Sequence, residues 1–226
     1  MIVKLQTKQC DYPEEVSTLF GQETFSNPET HKFANYLGKI CEWNKILTLF
    51  NSIPMNYDDR ELRFFKAWII QLAIQKYSSN KLKFIGADGY DFIVDDNDSQ
   101  YHGCKIELKS GKQIFSKQDS FTLRNAYNKT SSITLSNSNG SSIDKIYNKK
   151  YDFLLLLDKS GYAVTTYDKV LPRVKNSGDG FRATLNIIDL EIVCLVDENT
   201  VQYLDVDIPD SLNCAAMNII GMVENA

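Results

Sequence analysis

The sequence has few of the residues that build common metal centres and disulfide frameworks. Among 226 residues there are two histidines, His31 and His102, and five widely spaced cysteines with no Cys-x-x-Cys pair. Zinc sites and disulfide-rich domains need closely spaced Cys or His. We therefore expect neither, and we interpret the cysteines as small buried side chains in a reducing compartment.

Long apolar stretches are also missing. The longest aliphatic block runs only from Phe153 to Leu157, far short of a membrane span, and the N-terminus MIVKLQTKQC lacks the apolar segment of a signal peptide. A hydrophobic fraction of 43% nevertheless suffices for a packed core. We expect one cytoplasmic domain over residues 1–226, with no membrane partner.

Positive charge is in deficit overall but not everywhere. The net charge is −4, whereas residues 105–150 contain nine basic and three acidic residues, a local net charge of +6. This asymmetry predicts one basic face and favours a nucleic-acid partner. The alternative is a solvated loop that is rich in lysine by chance.

Apolar periodicity predicts an α/β chain whose first eighty residues are mostly helical. Asn27-Pro28-Glu29 is a typical helix start, and apolar residues at three- and four-residue steps continue to Phe50. Asp58-Asp59-Arg60-Glu61 opens a second helix that reaches Lys76. A helical turn is expected at 168–174. Strands are predicted at 92–94, 105–108, 151–157, 162–167, 184–196 and 201–206. The sheet core thus spans 85–206, with polar loops around 122–150.

One strand carries a candidate site. Because side chains alternate along a strand, Glu107 and Lys109 share a face and lie about 6.6 Å apart. If the preceding strand pairs with this one, Asp91 comes alongside Glu107. Two carboxylates and the carbonyl of Leu108 form an oxygen site that suits Mg²⁺. Lys109 can hold or help deprotonate a water that attacks a phosphodiester.

Glu107-Leu108-Lys109 is the only acid-x-Lys tripeptide in the chain. About one such tripeptide is expected by chance, so the interpretation depends on the neighbouring sequence. The alternative is a surface hairpin with a weak Glu–Lys pair. Asp88 also stands near the strand start, but Asp91 directly precedes the apolar residues Phe92 to Val94 and is preferred.

Asp91, Glu107 and Lys109, with the helix–strand–hairpin order from Asp58 to Gly111, resemble the PD-(D/E)xK nuclease superfamily and, within it, the type II restriction endonucleases. Tyr90 replaces the Pro of the motif name. The resemblance implies a restriction-endonuclease-like mixed central sheet flanked by helices. It further implies a homodimer that cuts both strands of DNA at a short palindrome with Mg²⁺ and no nucleotide cofactor. The family often adds an acid from the preceding helix; Glu61 is the candidate, and helix capping is its alternative role.

Length and composition are also similar to those of a rare cutter of an eight-base, all-A·T palindrome. Arginine, the usual reader of guanine, occurs only five times, whereas loop asparagines, which read adenine, are frequent. A low-G·C genome would produce the same bias.

The polar segment after the site is expected to read DNA. Basic groups in it fix the register on phosphates, and amides can reach base edges. The expected DNA-binding residues are Lys112, Arg124, Asn125, Asn128, Lys129, Asn137 and Asn139. Asparagine in such a loop can instead simply form turns. Should recognition lie elsewhere, the stretch from Arg173 to Arg182 is the next candidate.

Two other functions remain open from the sequence. One is a repair or recombination nuclease of the same fold that selects DNA by structure. The other is a DNA-binding or interaction domain without catalysis.

Overall fold

The computed structural model describes residues 28–53, 60–87, 90–111, 120–125, 151–159, 161–176, 181–186, 189–194 and 212–224. Within them the helices are α1 (Pro28–Ile40), α2 (Trp43–Ser52), α3 (Arg60–Tyr77), α4 (Tyr167–Val170) and α5 (Leu212–Glu224), with a 3-10 turn at Leu171–Arg173. The strands are β1 (Leu82–Ala87), β2 (Tyr90–Val94), β3 (Lys105–Ser110), β4 (Ser120–Asn125), β5 (Phe153–Leu157), β6 (Gly161–Thr166), β7 (Val174–Asn176), β8 (Phe181–Asn186) and β9 (Glu191–Cys194).

A six-stranded mixed sheet forms the centre, in the order β1-β2-β3-β5-β6-β9. Strands β1, β2 and β3 run antiparallel in succession, β5 lies parallel to β3, and β6 and β9 continue antiparallel. Strands β4, β8 and β7 form a separate three-stranded antiparallel sheet. The predicted mixed α/β class is confirmed.

Helices α1, α2, α3 and α5 pack with one face of the central sheet into a single hydrophobic core. Phe33 of α1 stacks on Phe153 of β5 with ring centroids 3.7 Å apart, and Trp43 of α2 stacks on Tyr162 of β6 at 4.0 Å. The Tyr162 hydroxyl donates a hydrogen bond to the carbonyl of Ala34 at 3.0 Å. The polar group of this buried side chain therefore has a partner. None of the helices in the described ranges is long and apolar enough to cross a membrane.

Strand β5 is buried on both faces. Phe153, Leu155 and Leu157 belong to the helix-side core, and Leu154 and Leu156 on the other face are equally inaccessible. An uninterrupted apolar run is typical of a strand covered on both sides. The strand predicted at 151–157 is therefore confirmed over Phe153–Leu157, and its parallel pairing places it directly beside β3.

The helix predicted from Pro28 to Phe50 is in fact two helices, α1 and α2. Its start at Pro28 is confirmed, but the first helix ends at Ile40 and the second begins at Trp43. The main-chain N–H of Glu42 donates to the carbonyl of Tyr77, at the end of α3, at 3.0 Å. This tertiary bond replaces a helical one, and both helices still bury the same apolar stripe. Asn27, Asp58 and Asp59 lie outside the described residues.

The prediction of loops from residue 122 onward is wrong for 122–125, which form most of β4 and pair with β8. The strand predicted over 184–196 is also wrong as a single element, because β8 ends at Asn186 and β9 begins at Glu191. Strands β1 and β7 and helix α5 were not predicted from the sequence. Residues 126–150 and 201–206 lie outside the described part.

The cysteines differ in exposure. Cys41 is buried, as expected, but Cys104 is half-buried and Cys214 on α5 is exposed; all three are free thiols. Cys214 therefore corrects the expectation that the cysteines are core residues.

The stacked pair of Phe33 and Phe153 allows a test of this architecture. Phe33→Ala removes a fully buried ring and should lower the free energy of unfolding by about 3–5 kcal/mol, measured by urea denaturation. Phe64→Ala on α3, where 64% of the residue is exposed, is the matched control and should cost much less. Equal losses in the two variants would contradict the arrangement of α1 on the sheet.

Candidate active site

The pairing of β2 with β3 brings the acidic residues of the two strands together. Phe92 pairs with Ile106 and Ile93 with Lys105. In an antiparallel pair the register advances by one residue on each strand, so Asp91 falls opposite Glu107. The pairing on which the sequence argument depended is therefore present.

The Asp91 carboxylate is held at two points. The main-chain N–H of Leu108 donates to its Oδ2 at 2.7 Å, and the Nε2 of Gln71, on α3, donates to its Oδ1 at 2.7 Å. A residue's N–H and C=O point to the same side of a strand, so the Leu108 carbonyl lies on the β2 side of β3. The three groups proposed as oxygen ligands thus belong to one short stretch of the β2–β3 pair.

Burial, and to a lesser extent the neighbouring Glu107 carboxylate, raise the pKa of Asp91 to about 6. The hydrogen bond from Leu108, the charge of Lys109 and the hydrogen bond from Gln71 lower it, but they do not compensate. Near neutral pH a negative charge at Asp91 therefore costs free energy in the protein alone. A bound cation between the two carboxylates would offset that cost.

Glu107 and Lys109 share one face of β3, as the alternation predicts. The Nζ of Lys109 donates to the Oε1 of Glu107, and the side chains are 45% and 18% exposed respectively. Ile106 and Leu108 point the other way, into the core. Lys105, on the same face as Glu107, lies 5.0 Å above the ring of Tyr90. Lys109 is thus the cation of this face that bonds directly to a candidate metal ligand.

The sequence Tyr-Asp-Phe occurs twice, and the two copies flank β3. Phe92 pairs with Ile106 from one side, and Phe153 pairs with the same residue from the other. Each copy also binds the β3 main chain through its aspartate: Asp91 accepts from Leu108, and Asp152 Oδ2 accepts from the N–H of Lys105 at 2.7 Å. Strand β3 is therefore fixed from both sides.

The available ligands fit a magnesium ion better than a transition metal. Among the described residues no group of three or more His, Cys, Asp or Glu side chains is placed to hold a metal. Two carboxylates and one main-chain carbonyl are a small all-oxygen set, which suits Mg²⁺ because that ion keeps several of its waters.

Glu61 lies in the first turn of α3, and its side chain is outside the described part. It precedes Gln71 by ten residues, which is about 15 Å along a helix axis. The contact between α3 and Asp91 is made by Gln71. A metal-binding role for Glu61 stays a prediction.

Gln71 is the site residue that the sequence argument missed. Gln71 and Gln75 are four residues apart on α3, and both bond to the β1–β2 edge: the Oε1 of Gln75 accepts from the N–H of Phe84 at 2.8 Å. In the sequence, two amide side chains at i and i+4 beside the apolar stripe of this helix were the pattern that could have indicated these contacts.

The expected DNA-binding residues are placed only in part. Arg124 and Asn125 lie in β4, in register with Arg182 and Phe181 of β8. The others, together with Asp88, lie outside the described residues: Lys112, Asn128, Lys129, Asn137 and Asn139.

Comparisons with protein-family models, with curated proteins and with solved structures each find no match to this chain. A functional assignment therefore depends on the chemistry of the site and on the motif resemblance.

The raised pKa of Asp91 predicts a pH-dependent stability. Its folded pKa lies above the ordinary 3.8, so the native state holds the proton more tightly and loses stability as the pH rises through about 6. Without metal, Asp91→Asn should be more stable than the parent at about pH 8, on the order of 1–2 kcal/mol, and the gain should shrink towards pH 5. Thermal unfolding over this pH range measures it.

The matched control is Asp152→Asn. Asp152 also accepts a main-chain hydrogen bond from β3 but is exposed, so its variant lacks the burial on which the predicted gain of Asp91→Asn depends. Saturating Mg²⁺ should stabilise the parent and not Asp91→Asn. A parent that Mg²⁺ does not stabilise would contradict the metal assignment.

Proposed function

We propose that this chain is a magnesium-dependent endonuclease that hydrolyses phosphodiester bonds of double-stranded DNA, as type II restriction endonucleases do. The observation that carries the proposal is the hydrogen bond from the Leu108 N–H to the Asp91 carboxylate. It joins the first acid of the motif to the centre of the Glu107-Leu108-Lys109 tripeptide.

In this proposal Asp91, Glu107 and the Leu108 carbonyl would hold the ion. Magnesium, when bound, lowers the pKa of a coordinated water and stabilises negative charge on the phosphate. The protein supplies rigid ligands: Gln71 and the β3 main chain fix both oxygens of Asp91, and the flanking β5 fixes β3. An Asp91 carboxylate that is held in advance would need no rearrangement when the charge develops.

Lys109 serves the attacking water and the phosphate. Its ammonium bonds to Glu107 at the half-exposed edge of the site, where a phosphate can approach. A compact cation there can orient a water by hydrogen bonding and offset the charge that the transition state gains. A Glu107 carboxylate that held the ion would leave the Lys109 ammonium available to these partners.

The free-energy cost of a negative charge at Asp91 in the metal-free protein supports a metal-binding role and argues against a simple surface hairpin. An exposed Glu–Lys pair would need no second carboxylate that is half-buried and has a raised pKa. Perturbed groups of this kind are concentrated at functional sites. The same point favours a nuclease over a DNA-binding domain without catalysis.

The proposal extends to the finer features that the resemblance implies. The mixed sheet with four helices on one face supports a restriction-endonuclease-like form. A homodimer in the cytoplasm would read a palindrome, because two-fold symmetry in the protein matches two-fold symmetry in the site. An A·T-rich target is favoured only by the scarcity of arginine together with the frequency of loop asparagine.

Lys109→Ala should abolish cleavage and leave DNA binding largely intact, because the lysine acts on the reacting groups. The matched control is Lys105→Ala, which removes a lysine from the same face of the same strand but without a bond to Glu107 in the described structure. We expect a loss of at least about a hundredfold in turnover for Lys109→Ala and a small change for Lys105→Ala.

The measurement is single-turnover cleavage of a duplex in Mg²⁺, with binding followed separately in Ca²⁺. Full turnover in Lys109→Ala would remove the lysine from the mechanism. Cleavage at branches or ends and not at a fixed sequence would instead favour the structure-selective nuclease.

A further inference from the structure

The Asp91 carboxylate is fixed by two elements that are far apart in the sequence. The main-chain N–H of Leu108 on β3 donates to one of its oxygens, and the side-chain amide of Gln71 on α3 donates to the other, each at 2.7 Å. A carboxylate oxygen has two lone pairs, so each oxygen of Asp91 keeps one for a further partner. Rotation of the carboxylate would break both hydrogen bonds, and its orientation is therefore set in the protein alone.

The amide of Gln71 is itself held in place by the packing of α3. Ile70, the preceding residue, is fully buried in the core. One turn beyond Gln71, the Oε1 of Gln75 accepts a hydrogen bond from the main-chain N–H of Phe84 at 2.8 Å. The helix thus contacts the β1–β2 pair through amides in two successive turns, and Gln71 is the one that bonds to Asp91.

The two donors that bond to Asp91 in the described structure are uncharged. Other buried aspartates are paired with cations. Asp96 lies 3.1 Å from the ammonium of Lys81, and Asp189 lies 3.2 Å from the guanidinium of Arg173. Such ion pairs neutralise a carboxylate within the fold. Amide donors instead orient Asp91 and leave its charge available to a cation, which is the support that a metal-binding carboxylate needs.

Magnesium and calcium ions differ in what they need from a carboxylate. Mg²⁺ requires near-ideal octahedral geometry and binds one or two carboxylates together with several waters. Ca²⁺ takes about six to eight oxygens in an adjustable arrangement that often includes carboxylates bound through both oxygens. A carboxylate of fixed orientation therefore favours the smaller ion, and one that can rotate favours the larger ion.

We propose that Gln71 is a positioning residue that raises the affinity of the candidate site for Mg²⁺ relative to Ca²⁺. The inference rests on the proposed function, because it concerns the same metal site, and it adds the residue that determines which ion the site prefers. Gln71 acts through Asp91: its amide restricts the carboxylate, and this restriction disfavours the ion that needs adjustable ligands. Without the amide, Asp91 would keep the bond from Leu108 and could adapt to the larger ion.

The test measures thermal unfolding of the full chain without DNA over a series of Mg²⁺ concentrations and, separately, of Ca²⁺ concentrations. The rise of the unfolding temperature gives a dissociation constant for each ion, because a ligand of the native state stabilises it by mass action. Gln71→Met keeps a long unbranched side chain and removes the donor. It should lower the ratio of the Ca²⁺ to the Mg²⁺ dissociation constant by about tenfold or more, since groups that support metal ligands typically contribute about 10- to 100-fold in affinity.

A second variant separates the loss of the donor from a change in packing. Gln71→Leu also lacks the donor but differs in shape, and it should lower the same ratio to a similar extent. Equal shifts in the two variants would assign the effect to the hydrogen bond.

Gln75→Met is the matched control. It removes the amide one turn later on α3, which bonds to Phe84, so the ratio should stay that of the parent even if the unfolding temperature falls. Asp91→Asn should abolish the response to both ions. A response that persisted in Asp91→Asn would place the ions elsewhere and overturn the inference.

The remaining outcomes separate this inference from the endonuclease function. A parent-like ratio in both Gln71 variants would overturn the inference and leave the nuclease proposal standing, because Gln71 would then serve the fold alone. An equal fall of the ratio in Gln75→Met would also overturn it, since any loosening of α3 would have the same effect. A parent that neither ion stabilises would contradict the metal site of the proposed function, and the inference with it.

Discussion

The geometry of the candidate site depends on the register of β3 between two neighbours. Ile106 is paired with Phe92 on one side and Phe153 on the other, and the aspartate that precedes each phenylalanine accepts a main-chain hydrogen bond from β3. A slip of one residue would exchange the two faces of the strand and carry Glu107 into the core. The buried side chains of β3 and its two neighbours therefore determine where the polar groups of the candidate site lie.

One electrostatic strain shapes the proposed function. The half-buried Asp91 beside Glu107 disfavours a second negative charge. This arrangement costs stability in the protein alone, and a bound cation such as magnesium would offset that cost. Proteins often have lower stability at residues that serve their function.

The sequence was informative where local pattern and tertiary structure agree. Strand alternation placed Glu107 and Lys109 on one face, and the apolar run at β5 marked a strand covered on both sides. The sequence was not informative where contacts between distant parts of the chain determine the structure. The break after α1 comes with a hydrogen bond from Glu42 to Tyr77. Gln71 reaches Asp91 only because α3 packs on the sheet. The residues of β4 alternate between apolar and polar, but the strand lies in a polar stretch of sequence, and β1 lies at one end of the described sheet.

Incubation of supercoiled plasmid DNA with the purified chain, with and without Mg²⁺, tests the central claim most directly. The account predicts discrete double-strand fragments that appear only with the metal and are absent with Glu107→Ala, which loses one of the two carboxylates. Cleavage that persists unchanged in Glu107→Ala, or no cleavage by the parent protein under any divalent metal, would contradict it.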